Sequence, residues 1–463
     1  MSRRATPHKA DLRKTLVAAA CLLGAPAFAA DARPEWLPEG SLGTGLPMLA
    51  DPGGLRSALW ERGVKFQVNY VGDLLNNARG GLRRGSAYSG RLELVVDADL
   101  EKTAGWSGAA AHANAYQIHG SGLTRSFLGN LMPVSNVEAL PATRLYEAWL
   151  EQKVSDGKVA LRAGQLGADT EFLTSSYAGL FINGTFGWPT ITAADLPGGG
   201  PAYPLATPGV RLGLYPTDKI TMLVGLFNGD PANPRAADPQ VANRHGLSFR
   251  VSDPALAMAE AQVKYGDEKS PNGLSGVAKL GVWTHFGRFE DQRYDRAGLS
   301  LANPSGSGDP RSLRGNRGVY GVVEQQIHRL ADDPAKGVGV FARIAGAPGD
   351  RNLVDFYADA GINVSGMIAS RPDDSFGVAF AYARIGGGPR GLDRDYAHYN
   401  GPAMVRSSEA LIEATYAAQI VPGWTLQPNV QYVIRPNGGV DPNDVTRTLR
   451  NATVFGIRSS LKF

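Results

Sequence analysis

The plainest feature of the chain is an alternation of apolar and polar residues with period two, broken at intervals by turn residues. In the run 92–100, Leu92, Leu94, Val96, Ala98 and Leu100 fall on one face and Glu93, Asp97 and Asp99 on the other. Val354, Phe356, Ala358, Ala360, Ile362 and Val364 oppose Asp355, Tyr357, Asp359 and Asn363 in the same way. The runs 410–420 and 424–434 repeat it, with Glu409, Glu413, Gln427, Asn429 and Gln431 on the polar side. These runs reach about ten residues, against a usual strand mean of ~5–6, and ten tilted residues cross a bilayer core.

The connections alternate as well. Short turns are expected near 102–105, 155–158, 216–219, 267–273, 331–337, 370–374 and 421–423. Longer Gly/Pro-rich loops are expected at 76–88, 120–140, 169–205, 229–245, 288–315, 348–352, 386–404 and 435–450. Seven turns and eight loops predict sixteen antiparallel strands, closed into a transmembrane β-barrel over 64–463 with short turns on the periplasmic side. Residues 246–266 read as one long strand bulged at Pro254, because splitting them at Asp253-Pro254 would put the 288–315 loop on the wrong side.

The N-terminus reads differently. Arg3, Arg4, Lys9, Arg13 and Lys14, an apolar stretch from Leu16 to Gly24 and the Ala27-Phe28-Ala29 triplet form a secretory leader over 1–30, cut after Ala29 or Ala30. Ala19-Ala20-Cys21 is a weaker lipoprotein alternative, with Ala at 18 where Leu is usual. Residues 31–63 are Pro-rich and irregular, with a short helix expected from Leu55 to Arg62, and read as a periplasmic lead-in. The leader holds five of the 47 Lys/Arg and one of the 43 Asp/Glu, so 42 of each sign remain without it. That balance gives no warrant for nucleic-acid binding. The one cysteine leaves with the leader, which removes disulfides and thiolate metal ligands.

Alternation alone also fits a soluble sandwich. The strand length and the charge on the polar face favour the inverted arrangement, apolar face to lipid and polar face to an aqueous lumen, which sixteen strands are wide enough to hold. A closed ladder leaves no backbone group unpaired in lipid. The final alternating strand ends on Phe463, as in chains read by the outer-membrane barrel assembly machinery.

Several motifs resemble the OprB-type carbohydrate-selective porins. They are Tyr146-Glu147-Ala148-Trp149-Leu150-Glu151-Gln152 with Leu161-Arg162-Ala163-Gly164-Gln165, then Glu171-Phe172, then the run from Leu180 to Gly187. Further on come Phe227-Asn228-Gly229-Asp230-Pro231, Val340-Phe341-Ala342-Arg343, Glu409 with Glu413 and Tyr416, Gln427-Pro428 with Gln431-Tyr432, and Gly456-Ile457-Arg458 before Phe463. Their order holds over about 60–463. The resemblance implies a sixteen-stranded outer-membrane barrel of a Gram-negative bacterium that passes mono- and disaccharides down their gradient, with no cofactor and no catalysis.

A neutral sugar needs paired hydrogen-bonding groups for its hydroxyls and an aromatic ring for its apolar face. By alternation the lumen face carries Arg91, Glu93, Asp97, Glu147, Trp149, Glu151, Arg162, Arg211, Lys279, Arg343, Asp355, Asp359, Glu409, Glu413 and Arg458. The sugar-contacting candidates are Arg91, Glu93, Glu147, Glu151, Arg162, Arg211, Arg343, Glu409, Glu413 and Arg458, with Trp149 as the stacking ring. Each can equally be a wall ion pair that holds the barrel's shape. Loop 169–205 carries Phe172, Tyr177, Phe181, Phe186 and Trp188, too apolar for solvent, and is expected to fold inward and narrow the pore; a cap packed on other loops is the alternative. No histidine spacing suggests a metal, and Gly337-x-Gly339-x-x-Ala342 lies inside a strand, which discards it as a dinucleotide motif. A general or anion-favouring diffusion porin is the competing function. An outer-membrane enzyme would need a Ser/His pair at one rim, and no serine has a motif. Alternation leaves a monomer or a homotrimer open.

Overall fold

A computed structural model of the chain describes residues 34–233, 237–266, 273–331 and 333–463. The leader 1–30 with its cleavage site lies outside the described residues, as do most of the turn expected at 267–273 and residues 234–236 of the loop expected at 229–245.

Sixteen antiparallel strands close into one barrel among the described residues. In order they are β1 (Val64–Arg79), β2 (Gly85–Asp99), β3 (Ala109–Gly120), β4 (Ala142–Val154), β5 (Val159–Leu166), β6 (Thr207–Thr217), β7 (Ile220–Asn228) and β8 (Ala255–Tyr265). Then follow β9 (Gly276–Asp295), β10 (Pro310–Arg329), β11 (Gly337–Gly346), β12 (Val354–Ser365), β13 (Ser375–Ile385), β14 (Ser408–Val421), β15 (Trp424–Ile434) and the last barrel strand, Ala452–Lys462. Closure runs from Asn69 opposite Lys462 to Arg79 opposite Thr453. At the seam Phe463 N–H donates to the Val68 carbonyl at 2.8 Å.

The two faces are inverted relative to a soluble protein. Leu280 is 70% exposed and Val319 and Phe286 58% each, while Glu413 is fully buried and Asp359 and Arg343 are 2% and 3% exposed. Exposed apolar side chains facing outward on a closed ladder suit lipid, and the charge turned inward suits a lumen.

The lead-in forms a helix over Leu55–Glu61, one residue short of the expectation. Arg56 Nη1 donates to the Phe66 carbonyl at 2.9 Å, and the chain at Leu42 sits against Gly423. The segment therefore packs on the short-turn end of the barrel. The tight turn between β4 and β5 holds Ser155 and Asp156 at φ 55° and 54° followed by Gly157 at 81°, left-handed positions that short polar residues and glycine tolerate best.

One strand expectation and four loop expectations are corrected. Residues 246–254 are not part of a long bulged strand: Pro254 has no N–H for the ladder, and β8 begins at Ala255. That segment is pinned on the β4–β5 rim, where Leu145 N–H donates to the His245 carbonyl and Gln165 Nε2 to that of Gly246. The loop expected at 386–404 contains a helix, Gly387–Tyr399, whose Pro389 stands in the first turn where its missing N–H costs nothing. The loops expected at 76–88 and 288–315 shorten to 80–84 and 296–309 because the strands run on. The last loop, 435–450, carries a small hairpin of Val440–Asp441 and Asp444–Thr448.

Two long loops enter the barrel, one of them expected. Residues 167–206 cross the lumen and pack Phe172, Phe181, Phe186 and Ile191 against Phe227, Trp283, Tyr320, Phe341 and Tyr357 of the wall. Residues 121–141, read only as a loop, enter as well: Ser135 Oγ donates to Asp73 at 2.6 Å and Gln431 Nε2 to the Val134 carbonyl at 2.7 Å.

Candidate functional site: a chamber between the wall and two inward loops

A loop inside a barrel brings backbone donors and acceptors that must be paired once water is displaced. The wall charges meet that need. Glu413 accepts from the N–H groups of Ile182 and Asn183 at 2.7 and 3.0 Å. Glu409 accepts from Leu131 and Met132 at 2.8 Å each, and from Asn437 at 2.7 Å. Glu147 accepts from Gly167 at 2.9 Å. Arg343 donates to the carbonyls of Leu173, Thr185 and Phe186 at 2.9, 3.1 and 2.9 Å while its other edge holds Asp359. Lys279 reaches the Thr174 carbonyl at 2.8 Å. These residues do face the lumen, and there they seat the loops.

A second group closes on itself. Glu151 takes Arg162 at 2.9 Å and Arg211 at 3.0 Å, and Glu171 takes the same two arginines at 2.5 Å each. The Arg162 guanidinium also lies 3.7 Å from the centre of the Trp149 ring, and the His112 ring stacks on Trp149 at 4.8 Å. The stacking ring expected for sugar is thus already engaged.

Between β1–β4, the last strand and the two inward loops lies a chamber of about 320 Å³. The wall contributes Val71, Arg91, Tyr116, Tyr146 and Arg458; the loops contribute Asn136, Glu138, Asp169, Trp188 and Tyr203, among others. Register places the cations: Arg91 stands opposite Val71, and Arg458 opposite Asp73, all on the inward face. Arg458 is held by Asp73 at 2.7 and 2.8 Å and donates to Asn136 Oδ1 at 2.7 Å.

Arg91 is employed differently. Its guanidinium lies 4.7 Å from the Tyr116 ring centre and 5.3 Å from that of Tyr203. Its carboxylate neighbour, Glu93, stands 3.8 Å away, and its buried Nε has no hydrogen-bond partner among the described residues. Glu93 also accepts from Asn69 and Asn114 at 3.2 and 3.1 Å.

The loop groups around Arg91 are fixed. Asp169 accepts from Tyr146 and from Tyr203 N–H at 2.9 Å. Burial pushes the Tyr203 hydroxyl up to about 12, so it stays protonated and donates to the Val137 carbonyl at 2.9 Å. Burial raises the Asp169 and Glu138 carboxyls above their ordinary values too. Glu138 is kept in place by Thr124, whose N–H and Oγ1 donate to it at 3.1 and 2.9 Å.

Of the expected candidates, the chamber brings together Arg91, Arg458 and Trp188, with Glu93 behind Arg91. Phe172, Phe181 and Phe186 pack the loop to the wall instead. Sequence reasoning missed Tyr116, Tyr146, Tyr203, Asn136, Glu138 and Asp169. Tyr116 had a usable signal, since it shares the polar face of β3 with His112 and Asn114.

Comparison with known proteins agrees with this architecture. The chain is 26% identical to Porin B of Pseudomonas aeruginosa over 442 residues, which is 90% of this chain and 91% of that one. The high-pH structure of OprB from Pseudomonas putida superposes with a TM-score of 0.79 at 23% identity, covering 90% of this chain and 98% of that one. The low-pH structure of the same protein superposes with a TM-score of 0.53 at 18% identity, with the same coverage. Residues 83–463 match the carbohydrate-selective porin, OprB family, so the chain belongs to that family and is an outer-membrane channel for carbohydrates rather than an enzyme.

Proposed function

We propose that the sugar passes through the chamber beside Arg91 and that Arg91 is the residue it meets. The observation that carries this is a guanidinium at the chamber wall with a fifth of its side chain exposed, resting on two tyrosines with its carboxylate neighbour no nearer than 3.8 Å. A pyranose hydroxyl pair supplies the missing acceptors. The edges of Tyr116, Tyr203 and Trp188 give the ring's apolar face a surface. The chamber's volume suits a monosaccharide or one ring of a disaccharide at a time. A charged donor is worth about 1.5–3 kcal/mol per bond, enough for selective yet reversible occupancy in a channel that must also release its cargo.

Residues 1–30 serve as the export leader, cut after Ala29 or Ala30, with Phe463 as the barrel-assembly signal. The lead-in that packs on the short-turn end faces the periplasm.

The test is single-channel conductance in a planar bilayer with glucose, maltose or sucrose titrated in. A small conductance blocked by millimolar sugar, with weak ion preference, supports the reading. A large conductance untouched by sugar, with a reversal potential that favours anions, makes Arg91 an anion filter of a general porin.

A further inference from the structure

The outward face of β7 to β11 carries a feature that sugar passage does not use. Ala257 and Ala259 on β8 leave a hollow bounded by Val224, Val282 and Val319 on the neighbouring strands, an almost wholly apolar groove of about 670 Å³. At its long-loop end the groove runs into a second pocket of about 400 Å³; Thr284, Arg317 and Pro348 line both. The second pocket is basic, with Arg314, Arg317 and Arg351 around it. Its carboxylate, Asp350, is already held by Arg351 at 2.8 and 2.9 Å. Arg314 and Arg317 are exposed and make no ion pair among the described residues.

The register explains why both arginines point outward. Arg317 stands opposite Thr284, whose neighbours on that face are Val282 and Phe286, and Arg314 stands opposite Arg288 across the irregularity at Gly315. The arginines therefore begin where the lipid-facing apolar band ends. Long loops lie on the cell's exterior, so this boundary is the headgroup level of the outer leaflet. A cation there is favourable when it meets an anionic headgroup and costly when it faces hydrocarbon alone.

We infer that groove and pocket together seat one phosphorylated, acylated glycolipid of the outer leaflet. An acyl chain fills the groove over Ala257 and Ala259, and a headgroup phosphate is held by Arg314 and Arg317. Charge complementarity favours this occupant over a second copy of the barrel, since this face offers the arginines no free carboxylate within its own pocket.

The test is native mass spectrometry of the detergent-purified barrel incubated with bis-phosphorylated lipid A, with phosphatidylcholine and with inorganic pyrophosphate. The wild type is expected to retain lipid A at least about tenfold more than phosphatidylcholine. The double variant Arg314→Gln/Arg317→Gln is expected to lose that preference, and Ala259→Trp, which fills the groove, to weaken lipid A retention while leaving pyrophosphate unaffected. Heat-modifiable mobility identical to wild type establishes that both variants are folded. Should Ala259→Trp misfold, Ala257→Leu replaces it. Unchanged lipid A retention in the arginine variant overturns the inference. So does equal binding of pyrophosphate and lipid A, which would make the pocket a plain anion site. A shift of the barrel's own oligomeric mass on filling the groove would make it a subunit interface and overturns it too.

Discussion

Arg343 and Arg91 both stand on the inward face of a wall strand, and local sequence treats them alike. Arg343 is saturated: Asp359 on one edge, carbonyls of Leu173, Thr185 and Phe186 on the other. Arg91 rests on Tyr116 and Tyr203 with a carboxylate no closer than 3.8 Å and a donor to spare. The difference is set by what the rest of the chain delivers to each. The 167–206 loop lays its backbone across β8 to β11 and β14, where Glu260, Lys279, Glu324, Arg343 and Glu413 receive it. Along β1–β4 it leaves the chamber beside Arg91. One barrel wall thus holds a loop on one side and borders a chamber on the other.

Removing Arg343 should separate the two halves most sharply. Arg343→Met leaves Asp359 buried without its partner and frees three carbonyls, a loss of about 3–5 kcal/mol. The inward loop is expected to detach, conductance to rise several-fold and sugar block to vanish, together with a lowered thermal transition of the barrel in detergent. Conductance unchanged from wild type would mean that Glu413, Glu147, Lys279 and the aromatic packing hold the loop without Arg343.

Arg91→Gln is the counterpart. Losing a charged donor should raise the half-blocking sugar concentration about tenfold or more, since tenfold corresponds to about 1.4 kcal/mol and such a bond is worth about 1.5–3 kcal/mol. Its thermal transition should fall far less than that of Arg343→Met, because Arg91 touches the inward loop only through its stacking on Tyr203. A sugar titration on the two variants thus tests the contrast directly: one loses block with the architecture, the other loses it alone.

The barrel itself was legible because alternation is a local property. The run 92–100 shows which side chains face lipid without knowledge of any neighbour, and the turn residues count the strands. The helix Gly387–Tyr399 was not legible, since Gly386-Gly387-Gly388-Pro389 reads as a breaker until Arg293 and Arg406 pair with Asp395 and Asp393. Nor was the start of β8, where an apolar alternation through Leu247, Phe249 and Val251 runs up to Pro254 without joining the ladder. For the site, alternation found the face but not the employment. Glu413 and Glu409 look like sugar-binding carboxylates until residues more than two hundred positions away claim them. Tyr203 beside Arg91 was hidden for the same reason, because a loop carries it in.

Trp149 sharpens the point on a smaller scale. If its ring stacked on sugar, Trp149→Phe would weaken block severalfold. With His112 and Arg162 already on the ring, the substitution should move the half-blocking concentration less than about twofold. Its cost should appear in stability instead, at about 1 kcal/mol, the scale of one partly buried cation–π contact.

The smallest expected effect concerns pH and the loop that borders the chamber. Burial holds the Glu138 carboxyl above its ordinary value of 4.5, so the folded protein binds that proton more tightly than the unfolded chain. The sign follows by linkage: its contribution is fully present below about pH 4.5 and fades as the pH rises through the raised folded value. Asp169, raised by burial from 3.8, acts in the same direction. The 121–141 loop should therefore be held more firmly in mild acid than at neutrality, where Glu138 must stay charged on the N–H and hydroxyl of Thr124. Glu138→Gln removes one titration and keeps a carbonyl acceptor for Thr124. Amide exchange at 123–125 should then lose part of its pH dependence beyond the intrinsic exchange chemistry, and the residual part should disappear when Asp169→Asn is added. An unchanged dependence in both variants would place the titrating group elsewhere and leave the two carboxylates as fixed struts of the loop.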